Sequence, residues 1–121
     1  MSNQIDSTEF GEGLLIDPMR NHVFELSDLL TQIGRASSND LVLSWDGSVS
    51  RRHAVIARLG NRYCLQDLDS KNGTWHNGRR LTGIARLKPG DHIRIGTSSF
   101  VFAMTIEADA PCEQASKFDV A

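Results

Sequence analysis

Four short polar segments of the sequence carry side chains that can bind an oxyanion. Arg35 and Arg51 each bear a planar guanidinium group that can hold a phosphate through two parallel hydrogen bonds. Ser50 offers a hydroxyl donor and Lys71 a point charge, whereas the amide of Asn72 can both donate to and accept from a peptide backbone. The segments are "IGRASSNDLVL", "SVSRRHA", "DLDSKNGTW" and "HNG". If they meet in space, they form a site for a phosphorylated side chain on an extended peptide.

Taken singly, these residues also have ordinary structural explanations. Arg35 can be a surface residue paired with Asp40, and Asn77-Gly78 can be a simple hairpin turn. Neighbouring side chains on a strand point in opposite directions, so at most one of Arg51 and Arg52 is expected to face the site. We expect Arg52 to be the one that does not. The functional interpretation therefore requires the separate segments to converge.

The rest of the sequence predicts the elements that would position these segments. Apolar residues alternate with a period of two in "HVFEL", "HAVIARL", "DHIRIG" and "FVFAMTI". In "HAVIARL", Val55, Ala57 and Leu59 share one face, and Val55 is expected to begin the buried part of the strand. Phe100 and Phe102 are expected in the core. Turn residues fill the gaps, as in "LGNR", "HNGRR" and "KPGD". Many short strands with regular turns predict an all-β sandwich whose loops carry the function.

Length, composition and charge limit the class of protein. At 121 residues, with 40% hydrophobic and 23% charged residues, the chain is expected to form one soluble domain. Its apolar runs are too short for a membrane span, and the N-terminal residues do not have the pattern of a signal peptide. The two cysteines do not form a disulfide pattern, which favours reduced thiols and a cytoplasmic location. The net charge is −2, yet residues 35–80 carry +4, so an anionic partner is expected there.

An enzyme is not expected. Ser50 and His53 could be considered as a nucleophile and its base, but side chains three residues apart on extended chain diverge, and the G-x-S-x-G elbow is missing. The four histidines and two cysteines do not have a recognised metal-ligand spacing, and there is no Walker-type phosphate loop. We therefore expect a binding protein that uses neither a metal nor a cofactor.

Five short motifs occur in order along the chain: G-R at 34–35, S-x-x-H at 50–53, N-G-T at 72–74, N-G at 77–78 and G-D-x-I at 90–93. Each motif alone is weak, but the ordered set resembles the forkhead-associated (FHA) domain over about residues 12–106. The resemblance implies a β-sandwich of about eleven strands, in two antiparallel or mixed sheets, with recognition loops at one end. It also implies a non-catalytic module that binds phosphothreonine in partner proteins.

The resemblance further implies roles for individual residues. The phosphopeptide-binding set is Arg35, Ser50, Arg51, Lys71, Asn72 and Thr74. Within it, Asn72 is expected to hold the peptide backbone just after the phosphothreonine. The loop-organising set is Gly34, His53, Gly73, Asn77 and Gly78, and Thr74 is expected to share this role by shaping the pocket for the threonine methyl group. Ser48 stands where several members carry a side chain that reads the third residue after the phosphothreonine.

The same resemblance implies how the chain is divided and what it binds. Residues 1–11 are predicted to be a flexible lead-in, residues 12–106 the FHA domain, and residues 107–121 a weakly ordered tail. Expected partners are phosphothreonine-containing proteins together with Ser/Thr kinases or their substrates. Binding to a membrane is not expected. Thr8 is a further candidate, as a regulatory phosphorylation site that could occupy the pocket in cis.

Two other functions are consistent with parts of the sequence. One is a phospho-independent assembly module that uses a sheet face rather than the loops. The other is a nucleic-acid binder that uses the basic loops. The negative net charge and the small number of aromatic residues argue against nucleic acid.

Overall fold

The computed structural model describes residues 11–105, and these residues form eleven β-strands. The strands are β1 (Gly13–Asp17), β2 (His22–Leu26), β3 (Leu30–Gly34), β4 (Leu41–Val42), β5 (Ala54–Leu59), β6 (Arg62–Asp67), β7 (Thr74–His76), β8 (Arg79–Arg80), β9 (Ile84–Leu87), β10 (His92–Ile95) and β11 (Ser98–Met104). No helix long and apolar enough to cross a membrane is found in this range. Thr8, Cys112 and most of the predicted lead-in and tail lie outside the described residues, so the predicted domain limits stay predictions.

The strands form two sheets. One sheet has six strands in the order β2-β1-β11-β10-β7-β8, and the other has five in the order β4-β3-β5-β6-β9. Only the short β3–β4 pair is parallel among the pairings of these residues, and the others are antiparallel. The prediction of an all-β sandwich with about eleven strands in antiparallel or mixed sheets is confirmed.

The core lies between the inner faces of the two sheets, where alternate residues of the central strands are buried. Phe100 and Phe102 are buried there, as expected, and Phe102 packs against Tyr63 with ring centroids 5.4 Å apart. The Tyr63 hydroxyl accepts a hydrogen bond from the backbone N–H of Gly13 at 2.8 Å, which joins the two sheets. The core thus fixes the positions of the strand ends from which the loops project.

The prediction that Val55, Ala57 and Leu59 form the inward face of β5 is wrong. Ala54 and Ile56 are buried, whereas Leu59 is 62% exposed. Both faces of this strand carry apolar residues, so alternation alone allows either to point inward. The pairing decides between them, because Ile56 lies opposite the buried Leu65 of β6.

The predicted turns lie where the sequence places them. Asn77 and Gly78 join β7 to β8 with φ values of 51° and 84°, the two positive values that a tight hairpin turn requires. Gly60 joins β5 to β6, and Gly90 lies between β9 and β10, both also with positive φ. These glycines adopt a backbone conformation that other residues reach only at a cost.

Candidate functional site

Three loops meet at one end of the sandwich: residues 35–40 between β3 and β4, residues 43–53 between β4 and β5, and residues 68–73 between β6 and β7. We refer to these three as the recognition loops. The backbone N–H of Arg35 donates to the Ser50 carbonyl at 2.9 Å, and the Arg35 Nε donates to the Val49 carbonyl at 3.0 Å. The first two loops are therefore joined next to the predicted phosphate-binding residues.

Gly34 allows this close approach. A Cβ at Gly34 would collide with the backbone oxygen of Arg51 and would lie 2.7 Å from Nδ2 of Asn39. The buried Asn39 amide donates to the carbonyls of Ala36 and Arg51, at 2.8 and 2.7 Å. Only glycine leaves room for this packing of one loop on the other.

His53 joins the second and third loops from a fully buried position. Its Nδ1 accepts a hydrogen bond from the backbone N–H of Ser50 at 3.0 Å. Since Nδ1 is the acceptor, the proton of a neutral ring lies on Nε2, which donates to the Gly73 carbonyl at 2.9 Å. In this geometry His53 joins Ser50 to Gly73, and its ring has no contact with solvent.

Asp67 organises the third loop from the end of β6. Its carboxylate accepts hydrogen bonds from the Ser70 hydroxyl at 2.5 Å, from the Ser70 N–H at 3.0 Å and from the Thr74 hydroxyl at 2.6 Å. Burial raises the pKa of Asp67, but the hydrogen bonds from Ser70 and Thr74 outweigh it, so the pKa lies below its usual value. Asp67 therefore stays ionised and holds the loop closed.

Thr74 is fully buried, and its hydroxyl is used by Asp67. Its side chain has no route to a peptide on the surface. This corrects its place in the phosphopeptide-binding set and leaves it as a residue that organises the loop.

Asp46 fixes the second loop to the β10–β11 turn. It accepts hydrogen bonds from the backbone N–H and hydroxyl groups of both Ser48 and Thr97, and from the hydroxyl of Ser98. Burial raises the pKa of Asp46, and the bonds from Ser48, Ser98 and Thr97 more than reverse this, so its pKa falls far below the usual range. The Ser48 hydroxyl, 2.5 Å from Asp46, is therefore directed into the protein, which argues against a role in reading a peptide side chain.

Four residues that the sequence predicts to contact a ligand keep polar groups available at the surface: Arg35, Ser50, Lys71 and Asn72. The Ser50 hydroxyl oxygen accepts the backbone N–H of Lys71 at 3.0 Å, so its proton is free to point outward. The Asn72 amide donates to the Ser48 carbonyl at 2.8 Å, which leaves its oxygen and its second N–H available. The side chains of Arg35, Lys71 and Asn72 are exposed. The site can therefore present several donors and positive charges to an anion and an amide to a backbone.

The structure also tests whether Arg35 is simply a surface residue paired with Asp40, and it shows where Arg51 and Arg52 lie. The ion pairs found within residues 11–105 are Arg20–Asp17 and His76–Asp91, so Arg35 is not paired with Asp40. Arg51 and Arg52 are both exposed and precede β5 rather than lying on it. The alternation of side chains along a strand therefore does not show which of the two arginines faces the site. That Arg51 rather than Arg52 contacts the phosphate stays a prediction.

The fourth polar segment does not join the other three. The Asn77 amide donates to Asp91 at 3.2 Å, and its oxygen accepts the His92 N–H at 2.8 Å. Asp91 also accepts a hydrogen bond from His76. Burial raises the pKa of Asp91, but the hydrogen bonds from His76, Lys88 and Asn77 outweigh this effect, so the pKa lies below its usual value. Asn77 and Gly78 thus organise the hairpin and the β9–β10 turn. No side-chain hydrogen bond of Asn77 found within residues 11–105 reaches the recognition loops, and the place of Asn77 and Gly78 in the loop-organising set stays a prediction.

Sequence reasoning missed Asn39, Asp46 and Asp67, which hold the loops in place. Two of them carried a readable signal. In "DGS" and "DLDS" an aspartate precedes a serine by two or three residues, the spacing at which a carboxylate caps the turn that follows it. For metal binding, residues 11–105 contain no group of three or more His, Cys, Asp or Glu side chains placed to hold an ion.

The fold and the site together define a class of protein: a β-sandwich that gathers basic side chains, a hydroxyl group and a side-chain amide on loops at one end. The sequence profile of the FHA domain matches residues 31–96, and the chain belongs to the FHA-domain family.

Other proteins are similar to this chain in sequence. The chain is 40% identical over 82 residues to the transcriptional regulatory protein EmbR of Mycobacterium tuberculosis, which covers 68% of this chain and 21% of EmbR. It is 38% identical over 95 residues to the oxoglutarate dehydrogenase inhibitor of Corynebacterium jeikeium, covering 76% of this chain and 65% of that protein. The chain thus spans about a fifth of the length of EmbR.

A solved structure gives the same result. The structure of M. tuberculosis EmbR in complex with a low-affinity phosphopeptide superposes with a TM-score of 0.78 and 32% identity. The superposition covers 86% of this chain and 29% of that one. The likeness is therefore to the FHA domain of EmbR rather than to the whole regulator.

Proposed function

We propose that this chain is a phosphothreonine-dependent binding module that recruits proteins phosphorylated by Ser/Thr kinases. The observation that carries the proposal is the position of the Ser50 hydroxyl, which lies where the three recognition loops join. The backbone of Ser50 forms hydrogen bonds with Arg35 and His53, and its side chain forms one with the backbone of Lys71. A phosphate bound there meets a hydroxyl donor, a guanidinium group and an ammonium group from three different loops.

Phosphate charge explains why binding depends on phosphorylation. A phosphate monoester carries about −1.5 to −2 charges and three strong acceptor oxygens near neutral pH. The exposed Arg35 can donate two parallel hydrogen bonds to such a group, and the remaining oxygen can accept from Ser50. An unmodified threonine hydroxyl has no charge and only one acceptor oxygen.

Threonine can be preferred over serine through its methyl group. Full burial of one methyl is worth about 0.8 kcal/mol, or roughly a fourfold difference in affinity. A stronger preference requires a further contribution, such as the stiffer χ1 angle of a β-branched residue. Thr74 and His53 support the backbone beneath this region from buried positions.

Asn72 is placed to hold the peptide backbone. A peptide residue presents one N–H and one C=O, and the free oxygen and second N–H of the Asn72 amide match this pair. Because Asn72 directly follows Lys71, it lies one residue away from the proposed phosphate site. The peptide is therefore held both at its modified side chain and at its main chain.

The module is proposed to act without catalysis, as a regulator by association. The similar proteins named above are a transcriptional regulatory protein and an enzyme inhibitor. We place the module in the cytoplasm, where the free thiol of Cys64 stays reduced. The partner is a phosphothreonine-containing protein, and residues 12–106 form the domain that binds it.

The test begins with an oriented library of phosphothreonine peptides. A selected peptide is then titrated in its threonine, phosphothreonine and phosphoserine forms by isothermal calorimetry. We expect tight binding of the phosphothreonine form, weaker binding of phosphoserine and none of threonine. Equal affinity for all three forms would overturn the proposal.

Two matched variants test the site itself. Arg35→Ala is expected to remove most of the affinity, whereas Arg52→Ala, which deletes the same charge from a neighbouring loop position, is expected to change it by less than about twofold. If Arg35→Ala still binds its partner, the interaction uses another surface, such as a sheet face, and the assignment fails.

A further inference from the structure

Three side chains form a row across the outer face of the six-stranded sheet. The strand register places Trp75 of β7 opposite Arg80 of β8 on one side and opposite Arg94 of β10 on the other. Residues paired in this way leave the sheet on the same face. Ile93 and Ile95, which flank Arg94, are buried in the core, so the row faces outward. We refer to Arg80, Trp75 and Arg94 as the basic row.

The basic row is partly organised in advance. The guanidinium carbon of Arg94 lies 4.7 Å from the centroid of the Trp75 ring, in a cation–π contact. A guanidinium group has five N–H donors, and a cation–π contact with a ring leaves donors that can bind a carboxylate. Arg94 itself is exposed, so these donors are accessible to a partner.

Arg80 connects the row to the recognition loops. A Cβ built on Gly73 would lie 2.7 Å from Nε and 3.0 Å from Cζ of Arg80, so the guanidinium group covers the α-carbon of Gly73. Gly73 directly follows Asn72, the residue that we propose holds the peptide backbone. The positive charge of Arg80 is therefore adjacent to the path of a bound peptide.

Neither arginine of the row has a carboxylate partner in the described part of the chain, where the ion pairs are Arg20–Asp17 and His76–Asp91. The facing residue on the next strand, Ser99, is uncharged. The two charges are thus available to an external anion.

We propose that the basic row is a second subsite, which binds acidic side chains of the partner on the C-terminal side of the phosphothreonine. This inference rests on the proposed function, because the phosphothreonine site brings the acidic segment to the row. Lys71 and Gly73 are two residues apart, at most about 7 Å along the chain. Arg80 and Arg94 are separated by two strand spacings, about 10 Å, or roughly three residues of extended peptide. The first distance corresponds to about two residues of extended peptide and the second to about three more, so the acidic residues lie about two to five positions after the phosphothreonine.

A peptide suits the row better than a nucleic acid does. Single-stranded nucleic acids gain much of their affinity by stacking bases on open aromatic rings. The Trp75 ring is only partly exposed, and Arg94 covers one of its faces. The net charge of −2 also opposes nonspecific attraction of a polyanion.

The test compares two phosphothreonine peptides that carry the sequence selected from the library and differ only at the second to fifth positions after the phosphothreonine. One peptide has aspartate at these positions and the other asparagine. An exposed ion pair is worth about two- to fivefold in affinity, so two pairs predict a preference for the aspartate peptide of about four- to twenty-five-fold. The preference is expected to shrink in 0.5 M salt.

Variants locate the preference. Arg80→Gln and Arg94→Gln are each expected to reduce it by about two- to fivefold, while affinity for the asparagine peptide stays within twofold of the original. Arg79→Gln is the control, since it removes the same charge from the neighbouring residue, which leaves β8 on the opposite face. A merely structural effect of Arg80 on Gly73 would instead weaken both peptides equally and would overturn the proposal.

A spectroscopic measurement gives a second readout. The chain has two tryptophans, so Trp45→Phe leaves Trp75 as the only one. The aspartate peptide is expected to change the Trp75 emission more than the asparagine peptide does. Identical changes with both peptides would count against contact with the row.

The possible failures are distinguishable. If no phosphothreonine peptide binds, the proposed function is wrong. If the phosphothreonine peptides bind but the aspartate and asparagine forms bind equally, or if the preference survives in both Arg80→Gln and Arg94→Gln, only the subsite is wrong. A single-stranded oligonucleotide that displaces the aspartate peptide as readily as unlabelled peptide would show a general polyanion surface and would also overturn it.

Discussion

The imidazole of His53 donates a hydrogen bond to the backbone oxygen of Gly73 at 2.9 Å, and both residues are buried. The other ring nitrogen accepts from the backbone N–H of Ser50. One side chain thus sets the distance between the serine that we propose binds the phosphate and the loop that carries Lys71 and Asn72. His53 holds the backbone of both loops through these two hydrogen bonds and does not itself reach the surface.

Replacement of His53 is expected to affect stability and binding together. His53→Ala leaves a cavity and two buried backbone groups without partners, so the free energy of unfolding should fall by about 2–4 kcal/mol. Peptide affinity should also fall, measured at a temperature where the variant is folded, because Ser50 and Gly73 lose their link. Urea denaturation measures the first effect and calorimetry the second. His92→Ala, at an exposed histidine, is the control and should change neither quantity appreciably.

Gly34 provides a test of close packing between loops. Gly34→Ala forces the new methyl against the Arg51 carbonyl and the Asn39 amide, and we expect a loss of about 1–3 kcal/mol in unfolding free energy. Peptide affinity should fall as well, since Arg35 follows directly. Gly47→Ala is the matched control, because nothing lies within 4 Å of a Cβ there. Equal melting temperatures for the two variants would contradict the packing described.

Replacement of Asn72 is expected to weaken peptide binding without a large change in the stability of the fold. Asn72→Ala removes one exposed hydrogen bond to Ser48, so its unfolding free energy should change by less than about 1 kcal/mol. Its affinity for a phosphothreonine peptide should fall at least about tenfold, because the main chain of the peptide loses its amide partner. Asn61→Ala, at an exposed turn between β5 and β6, should leave affinity unchanged. A variant at Asn72 with full affinity would remove this residue from the site.

Acid is expected to destabilise the fold through its bonded aspartates. The pKa values of Asp46, Asp67 and Asp91 lie below their usual value of 3.8 in the folded chain. As pH falls through about 4, the unfolded chain takes up protons that the folded chain does not, so stability declines. The contribution of these groups is complete above about pH 5 and is lost progressively toward the lower, folded-state values.

Urea denaturation between pH 2.5 and 7 measures this dependence. Asp46→Asn should be less stable at pH 7, because an amide group cannot accept all the bonds that Ser48, Thr97 and Ser98 donate to the carboxylate. It should also lose less stability than the unmodified protein between pH 5 and pH 3. A parallel loss in both proteins would show that Asp46 does not contribute to the pH dependence.

Much of the fold could be predicted from local patterns, because period-two alternation and turn residues act over a few neighbouring positions. The Asn77-Gly78 hairpin follows from the positive φ that both residues tolerate. The inward face of β5 could not be predicted in this way, since both faces of that strand are apolar and only its pairing with β6 selects one.

The sequence by itself determined the strand and turn pattern, the family, and the residue types able to bind a phosphate. The tertiary structure decided which of them are at the surface. It bonded the hydroxyl groups of Thr74 and Ser48 to the carboxylates of Asp67 and Asp46, joined Asn77 to another turn, and brought Arg80 onto Gly73. The physical reason is that a polar side chain bonds to whatever donor or acceptor lies within about 3 Å, and in a sandwich those partners come from loops distant in sequence.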